Sequence, residues 1–137
     1  MPKHANAAVI ERYFEACNAG DDAALHAVLD AGVVHYFLPG HPPVTGADAL
    51  SRHWRKFRDI FAARWFLNRV IASGEDAVSE WAFEYRPAEG EARVVNRGTE
   101  WYVIRDGRIA EIRAYYIESD EPCALSGFPY AARGYLP

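Results

Sequence analysis

The second half of the chain is a series of short stretches in which bulky apolar residues alternate with polar or small ones. In residues 77–86, Trp81, Phe83 and Tyr85 take every second position, which places them on one face of an extended strand. We therefore predict a meander of four antiparallel strands, at residues 64–72, 77–86, 92–104 and 108–117, joined by turns at 73–76 and 105–107. In the third of these strands, Gly98 is predicted to form a β-bulge.

The residues before this meander follow a helical repeat instead. Apolar side chains recur every three or four positions in residues 7–19, and Gly20 followed by Asp21 and Asp22 predicts a boundary with a second, shorter helix that ends near Gly32. Residues 33–38 are predicted as a strand, and the Pro- and Gly-rich residues 39–46 as a loop. A third helix is predicted over 47–61, with an apolar stripe of Leu50, His53, Trp54, Phe57, Ile60 and Phe61.

Helices that precede an antiparallel meander predict an α+β domain, with the helices packed on one face of a curved sheet. The 137 residues suffice for a single domain. The net charge of −4 argues against nucleic acid or an anionic membrane as a partner. Cys17 and Cys123 match no zinc or redox spacing, and residues 1–8 lack the apolar core of a signal peptide. We therefore expect a cytoplasmic protein without a metal site.

Four segments carry a resemblance to a known family. They are RYFEACNAGDDAALHAVL (12–29), VVHYFLPG (33–40), TGADAL (45–50) and GTEWYVIRDGRIAEIRAYY (98–116). Together they resemble the nuclear-transport-factor-2-like superfamily, in its SnoaL-like polyketide cyclase and ketosteroid isomerase branches. The resemblance implies a cone-shaped, strongly curved, mostly antiparallel sheet wrapped around the three helices, with an internal pocket. It also implies a homodimer formed through the outer sheet face. It covers about residues 7–117, which leaves 118–137 as a C-terminal tail or lid of the same domain.

The same resemblance places the family's catalytic groups on this sequence. The general base of the steroid isomerases falls at Phe37, and the catalytic aspartate of the SnoaL-type cyclases falls near Ala114, so neither group is present. The tyrosine of the isomerases' oxyanion hole falls at Tyr13, which retains it. The second oxyanion donor, a protonated carboxylic acid, falls near Glu100.

Strand alternation adds a further candidate, because His35 shares a face with Phe37. An imidazole suits proton transfer at neutral pH, so His35 is the predicted base. Glu100 is predicted to orient it or to act as an acid. The alternatives are a structural His35 in the core and a Glu100 turned outward to Arg97 or Arg113. The predicted catalytic residues are His35, Glu100, Tyr13 and His53. The predicted substrate-binding residues are Phe37, Trp54, Phe57, Trp81, Phe83, Tyr85, Asn96, Tyr102, Ile112 and Tyr116.

Three functions remain open at this stage. The first is a cofactor-free isomerase, dehydratase or cyclase that transfers protons on a small hydrophobic carbonyl compound. The second is a protein that binds a small hydrophobic molecule without transforming it, which the residues at Phe37 and Ala114 favour. The third is a structural dimer whose cone is filled by side chains.

Overall fold

The computed structural model describes residues 3–38, 40–117 and 122–137. Three helices, α1 (Ala5–Ala19), α2 (Asp22–Val28) and α3 (Ala47–Phe61), accompany one six-stranded sheet. Its strands are β1 (Leu29–Tyr36), β2 (Val44–Thr45), β3 (Arg64–Ser73), β4 (Asp76–Tyr85), β5 (Val94–Arg105) and β6 (Arg108–Tyr116). Two short 3₁₀ helices follow, at Ala124–Gly127 and Ala131–Arg133. The predicted α+β fold is confirmed.

The sheet has the strand order β2-β1-β6-β5-β4-β3. Strands β3 to β6 form the predicted antiparallel meander, and β1 joins it beside β6 in a parallel orientation. His35 of β1 thereby pairs with Ile112 of β6. This parallel pair brings an early strand beside the last strand of the meander, so that side chains distant in sequence share one inner face.

Two turns have the backbone conformations that their sequences predict. Gly20 ends α1 in the left-handed conformation, with φ 64° and ψ 33°, and the Asp21 side chain accepts a hydrogen bond from Ala24 N at 3.0 Å to begin α2. Between β5 and β6, Asp106 and Gly107 both have positive φ, 52° and 75°. A two-residue hairpin turn needs this conformation, which an Asp-Gly pair tolerates well.

The first strand begins earlier than predicted. α2 ends at Val28, and β1 runs on from Leu29 through Gly32, because Leu29 already pairs with Ile109 of β6. The predicted loop also contains the short strand β2, which pairs with β1; Pro39 of that loop lies outside the described residues. Both corrections have one cause: pairing with a distant strand overrides the local pattern.

Gly98 is not a β-bulge, contrary to the prediction. It pairs in register with Trp81 on one side and Tyr116 on the other. The irregularities of the meander lie elsewhere: the pairing skips Asn68 of β3, opposite β4, and Ala110 of β6, opposite β5. A Cβ at Gly98 would lie 2.5 Å from the Tyr115 carbonyl oxygen and 2.6 Å from the Tyr116 Cβ. Glycine is therefore required here because the neighbouring strand approaches too closely for a side chain.

The core consists of fully buried aliphatic side chains at one end of the sheet and of aromatic side chains at the other. Ile10, Leu25 and Leu50, one from each helix, meet Ile104 and Ile109 of the last hairpin. All five are nearly inaccessible to solvent, and burying each contributes about 1.5–3 kcal/mol. At the other end the α3 aromatic side chains are only half-buried, and Ile60, predicted in the apolar stripe, is 65% exposed. No helix within the described ranges is long and apolar enough to cross a bilayer.

The C-terminal tail packs on the outer face of the sheet. Tyr135 donates a hydrogen bond to Glu80 Oε1 at 2.8 Å, and the Arg97 guanidinium lies 4.1 Å from the centre of the Tyr130 ring. Glu80 and Arg97 alternate with residues that face the helices, so they point outward. Residues 118–121 lie outside the described residues, and none of residues 122–137 lines the cavity described below. The described part of the tail is therefore not a lid.

Candidate active site

A cavity of about 330 Å³ opens between α1, α3 and the inner face of β1, β4, β5 and β6. This volume lies within the range that small-molecule sites occupy. Aromatic rings form most of its wall, and none of its lining residues is Lys or Arg. The lining residues are Tyr13, Phe14, His35, Phe37, His41, Pro42, Val44, His53, Trp54, Phe57, Trp65, Trp81, Phe83, Tyr85, Asn96, Glu100, Ala114 and Tyr116.

A buried imidazole and a buried carboxyl meet in this cavity. His35 Nε2 lies 3.1 Å from Glu100 Oε2, but the ring nitrogen does not point at the oxygen well enough for a hydrogen bond. Among the described residues, neither ring nitrogen of His35 has a hydrogen-bond partner, and neither has surface open to the cavity. The Phe37 ring stacks on the imidazole with 4.2 Å between ring centres. Glu100 is the more accessible of the pair, at 7% exposed against 1% for His35.

The other carboxyl oxygen of Glu100, Oε1, is hydrogen-bonded by residues that do not line the cavity. The Tyr102 hydroxyl donates to Oε1 at 3.2 Å, and Ser79 Oγ lies 2.8 Å from the same hydroxyl. Burial, followed by the nearby charge of Glu100, raises the pKa of Tyr102 well above its usual value. Tyr102 therefore stays protonated and remains a donor to the carboxyl.

Tyr13 presents a phenol to the cavity from α1. Its oxygen accepts a hydrogen bond from Trp54 Nε1 at 2.6 Å. Burial is the main cause that raises the pKa of Tyr13 well above its usual value, and a negative charge on Cys17 or Glu100 would raise it further. The phenol is thus neutral, and its proton is suited to donation to an oxygen atom in the cavity.

His53 lies on α3 beside the Phe37 ring, with 5.4 Å between ring centres. Burial lowers its pKa from 6.5 to about 4, and a positive charge on His35, Lys56 or His41 would lower it in the same direction. His53 is therefore uncharged at neutral pH and adds no cation to the cavity. In the described part of the chain, no three His, Cys, Asp or Glu side chains are placed to hold a metal ion.

All but two of the predicted site residues line the cavity. The exceptions are Tyr102, which lies behind Glu100, and Ile112, which lies beneath the cavity in the core; both are fully buried. Glu100 lines the cavity and is only 7% exposed, so it does not point outward to Arg97 or Arg113; these bond the Pro137 carbonyl and Glu111 instead. The cavity argues against a cone filled by side chains. The roles assigned to the lining residues stay predictions.

Six lining residues were not predicted as site residues. Ala114 and Phe14 had a signal, since Ala114 alternates with Tyr116 and Phe14 follows Tyr13 on the apolar face of α1. The loop residues had none, because loop conformation follows no periodic pattern. The six are Phe14, His41, Pro42, Val44, Trp65 and Ala114.

Comparison with known proteins places the chain among relatives of this architecture. Residues 10–112 match the SnoaL-like domain family. The chain belongs to this family. No curated protein matches the sequence closely enough to show a relationship. The SnoaL-like family assignment agrees with the resemblance found in the sequence.

Three solved structures illustrate the range of similar folds. A protein of unknown function with a cystatin-like fold from Methylobium petroleophilum PM1 is 27% identical, with a TM-score of 0.76 over 100% of this chain and 94% of its own. An LEH-like epoxide hydrolase from M. tuberculosis is 20% identical, with a TM-score of 0.70 over 82% and 83%. A provisionally assigned ketosteroid isomerase from Kribbella flavida is 18% identical, with a TM-score of 0.71 over 87% and 82%. The last two similarities concern the fold alone.

Proposed function

We propose that this SnoaL-like protein binds a small, flat, uncharged carbonyl compound and catalyses proton transfer on it without a cofactor, as an isomerase, dehydratase or cyclase. The observation that carries the proposal is the contact between Glu100 and His35 within an otherwise aromatic cavity. Burying a carboxyl is costly unless it has partners or takes a proton. Such a pair is typical of a site that stores and releases one proton.

Access to the cavity favours a different division of roles from the one predicted from the sequence. Both His35 nitrogens are covered, whereas the Glu100 side chain keeps some exposed surface. We therefore assign the exchange of a proton with the substrate to Glu100. His35 Nε2, 3.1 Å from Glu100 Oε2, is the polar neighbour of the carboxyl on this side.

The chemistry of one step is then complete without an external reagent. The Glu100 carboxylate takes the proton from the carbon next to the substrate carbonyl, and the electrons of that C–H bond form an enolate. The enolate oxygen accepts a hydrogen bond from the Tyr13 hydroxyl. Glu100 returns the proton to another carbon in an isomerisation. In a dehydration it gives the proton to the departing hydroxyl group, so that water leaves as the enolate electrons form the new C=C bond and the carboxylate is restored.

Exchange of substrate protons with D₂O tests the proposal before the natural substrate is known. A panel of flat, uncharged ketones and lactones is followed by ¹H NMR for loss of the signal next to the carbonyl. We expect wild-type protein to accelerate exchange of at least one compound, Glu100→Gln to abolish the acceleration, and His35→Gln to weaken it. Glu80→Gln, a matched substitution on the outer face, should exchange at the wild-type rate. Equal rates for Glu100→Gln and wild type would contradict the assignment.

Non-catalytic binding of a hydrophobic molecule is the second candidate. It is favoured by the Phe37 ring, which covers His35, and by Ala114, which brings no functional group to the wall. A compound that raises the thermal midpoint of unfolding but exchanges no protons would support this candidate.

We further propose that the protein is a homodimer that pairs through the outer sheet face. Tyr36, Trp101 and Tyr115 are exposed, and they lie on the outer side of three adjacent strands. Aromatic side chains of this kind are enriched at protein interfaces. Sedimentation velocity should show a dimer for wild type and for the control Ile60→Glu on α3, and a monomer for Trp101→Glu. A monomeric wild type would contradict the proposal.

A further inference from the structure

Two hydroxyl groups form a short chain behind Glu100. Ser79 of β4 stands directly opposite Glu100 in the β4–β5 register, and Tyr102 is two residues along β5. The Ser79 and Tyr102 oxygens are 2.8 Å apart, and Tyr102 donates to Glu100 Oε1 at 3.2 Å. Ser79 and Tyr102 are buried, and neither lines the cavity. Ser79 and Tyr102 are therefore placed to act on the Glu100 carboxyl and not to contact a substrate.

With Glu100 as a carboxylate, the available protons fix the direction of both hydrogen bonds in this chain. A tyrosine hydroxyl carries one proton. Because Tyr102 gives that proton to Glu100 Oε1, the Tyr102 oxygen is left to accept the proton of the Ser79 hydroxyl. When Glu100 takes a proton, both hydrogen bonds are kept if that proton lies on Oε2, the oxygen 3.1 Å from His35 Nε2, whereas a proton on Oε1 would require both bonds to reverse.

We propose that Ser79 and Tyr102 are positioning residues that confine the exchangeable proton of Glu100 to Oε2. Without them either carboxyl oxygen could carry the proton, and in part of the molecules it would point away from His35. The consequence for turnover rests on the proposed function, but the placement of the proton does not require any substrate.

The other titratable groups around the carboxyl leave this assignment intact. Burial raises the pKa of Tyr13 and Cys17 well above their usual values, so both side chains are neutral. Tyr102 is consequently the hydroxyl that holds Oε1, and His35 is the group beside Oε2. Among the described residues, the titratable groups that act on the Glu100–His35 pair include Tyr13 and Cys17 from α1, His53 from α3 and Tyr102 from β5.

Infrared spectroscopy of the Glu100 carboxyl tests which of its two oxygens carries the proton. Protein with ¹³C-labelled glutamate is acidified, and the C=O stretch of protonated Glu100 is identified as the band that Glu100→Gln lacks. If Oε1 is the carbonyl oxygen bonded to Tyr102, Tyr102→Phe should move this band to higher wavenumber. Ser79→Ala should move it less and in the same direction, because it only weakens the donor. Tyr135→Phe, which removes a hydroxyl bonded to a glutamate on the outer face, should leave it unchanged.

An unchanged band in Tyr102→Phe would overturn the proposal. If that variant does not fold, Ser79→Ala decides in its place, and an unchanged band there overturns it equally. For a compound that exchanges protons, we expect Tyr102→Phe to lower the rate about tenfold, the loss of one buried hydrogen bond. Failure of the proposed function would show instead as equal exchange by Glu100→Gln and wild type, and would leave the infrared result standing.

Discussion

Lowering the pH should destabilise the folded protein through His53. This side chain packs against the rings of Trp54 and Phe57. Burial, the largest cause, lowers its pKa from 6.5 to about 4, and a charge on His35 acts in the same direction. Folding therefore discourages protonation of His53.

The sign and size of the effect follow from linkage. Above pH 6.5, His53 is neutral in both states and its contribution to stability is fully present. As the pH falls below 6.5 the unfolded chain binds a proton at His53, whereas the folded chain does so only near pH 4. The contribution is therefore lost progressively between these values. Each pH unit in this window costs at most about 1.4 kcal/mol. Because the side chain is partly exposed, solvent screening reduces the loss to about 1–2 kcal/mol at pH 5 and about 2–3 kcal/mol by pH 4.

Urea unfolding at pH 7, 6 and 5, followed by tryptophan fluorescence, measures this loss. Between pH 7 and 5, the unfolding free energy of His53→Gln should fall by about 1–2 kcal/mol less than that of wild type. His26→Gln is the matched control, because hydrogen bonds to the Asp22 carbonyl and to Asp48 raise the pKa of this exposed histidine. Its contribution is present below pH 6.5 and is lost as the pH rises, so this variant should show the opposite trend. Parallel pH profiles for wild type and His53→Gln would refute the reasoning.

Two further substitutions test the sheet and the oxyanion donor. Gly98→Ala should lower the free energy of unfolding by about 2–3 kcal/mol, because its methyl group meets the Tyr115 carbonyl at 2.5 Å; an unchanged urea midpoint would contradict the close approach. Tyr13→Phe should slow proton exchange by about 100-fold, the effect of losing one oxyanion donor. Exchange at the wild-type rate would remove Tyr13 from the mechanism.

The local sequence pattern was sufficient to predict a segment's structure where several signals within it indicate the same conformation. The helix predicted at 47–61 has those bounds in the structure, because its apolar stripe and flanking glycine agree. The turn at Asp106–Gly107 was likewise predictable from backbone chemistry. Alternation correctly grouped Glu100 with Tyr102 and Ile104 on one strand face, but it left open whether that face points inward, because a shift of one residue reverses it.

Prediction failed where contacts with distant residues decide the outcome. β1 extends back to Leu29 because β6 offers a partner there, and the segment itself carries no sign of this. Gly98 resembles a bulge in sequence, yet its role is set by the approach of β6. Tyr102 and Ile112 share a strand face with residues that line the cavity. Whether a residue on this face lines the cavity or lies in the core depends on which helix packs over it, and the strand pattern does not show this.

By itself, the sequence determined the α+β class, the meander and the group of side chains that face inward, because periodicity and turn chemistry act over a few residues. The tertiary structure alone decided that His35 and Glu100 touch, that Phe37 covers the imidazole, and that Tyr102 stands behind the carboxyl. The contact between His35 and Glu100 joins β1 to β5, two strands that lie far apart in the chain. The geometry of these contacts depends on strand order and on how closely the strands approach, neither of which is encoded in any local repeat.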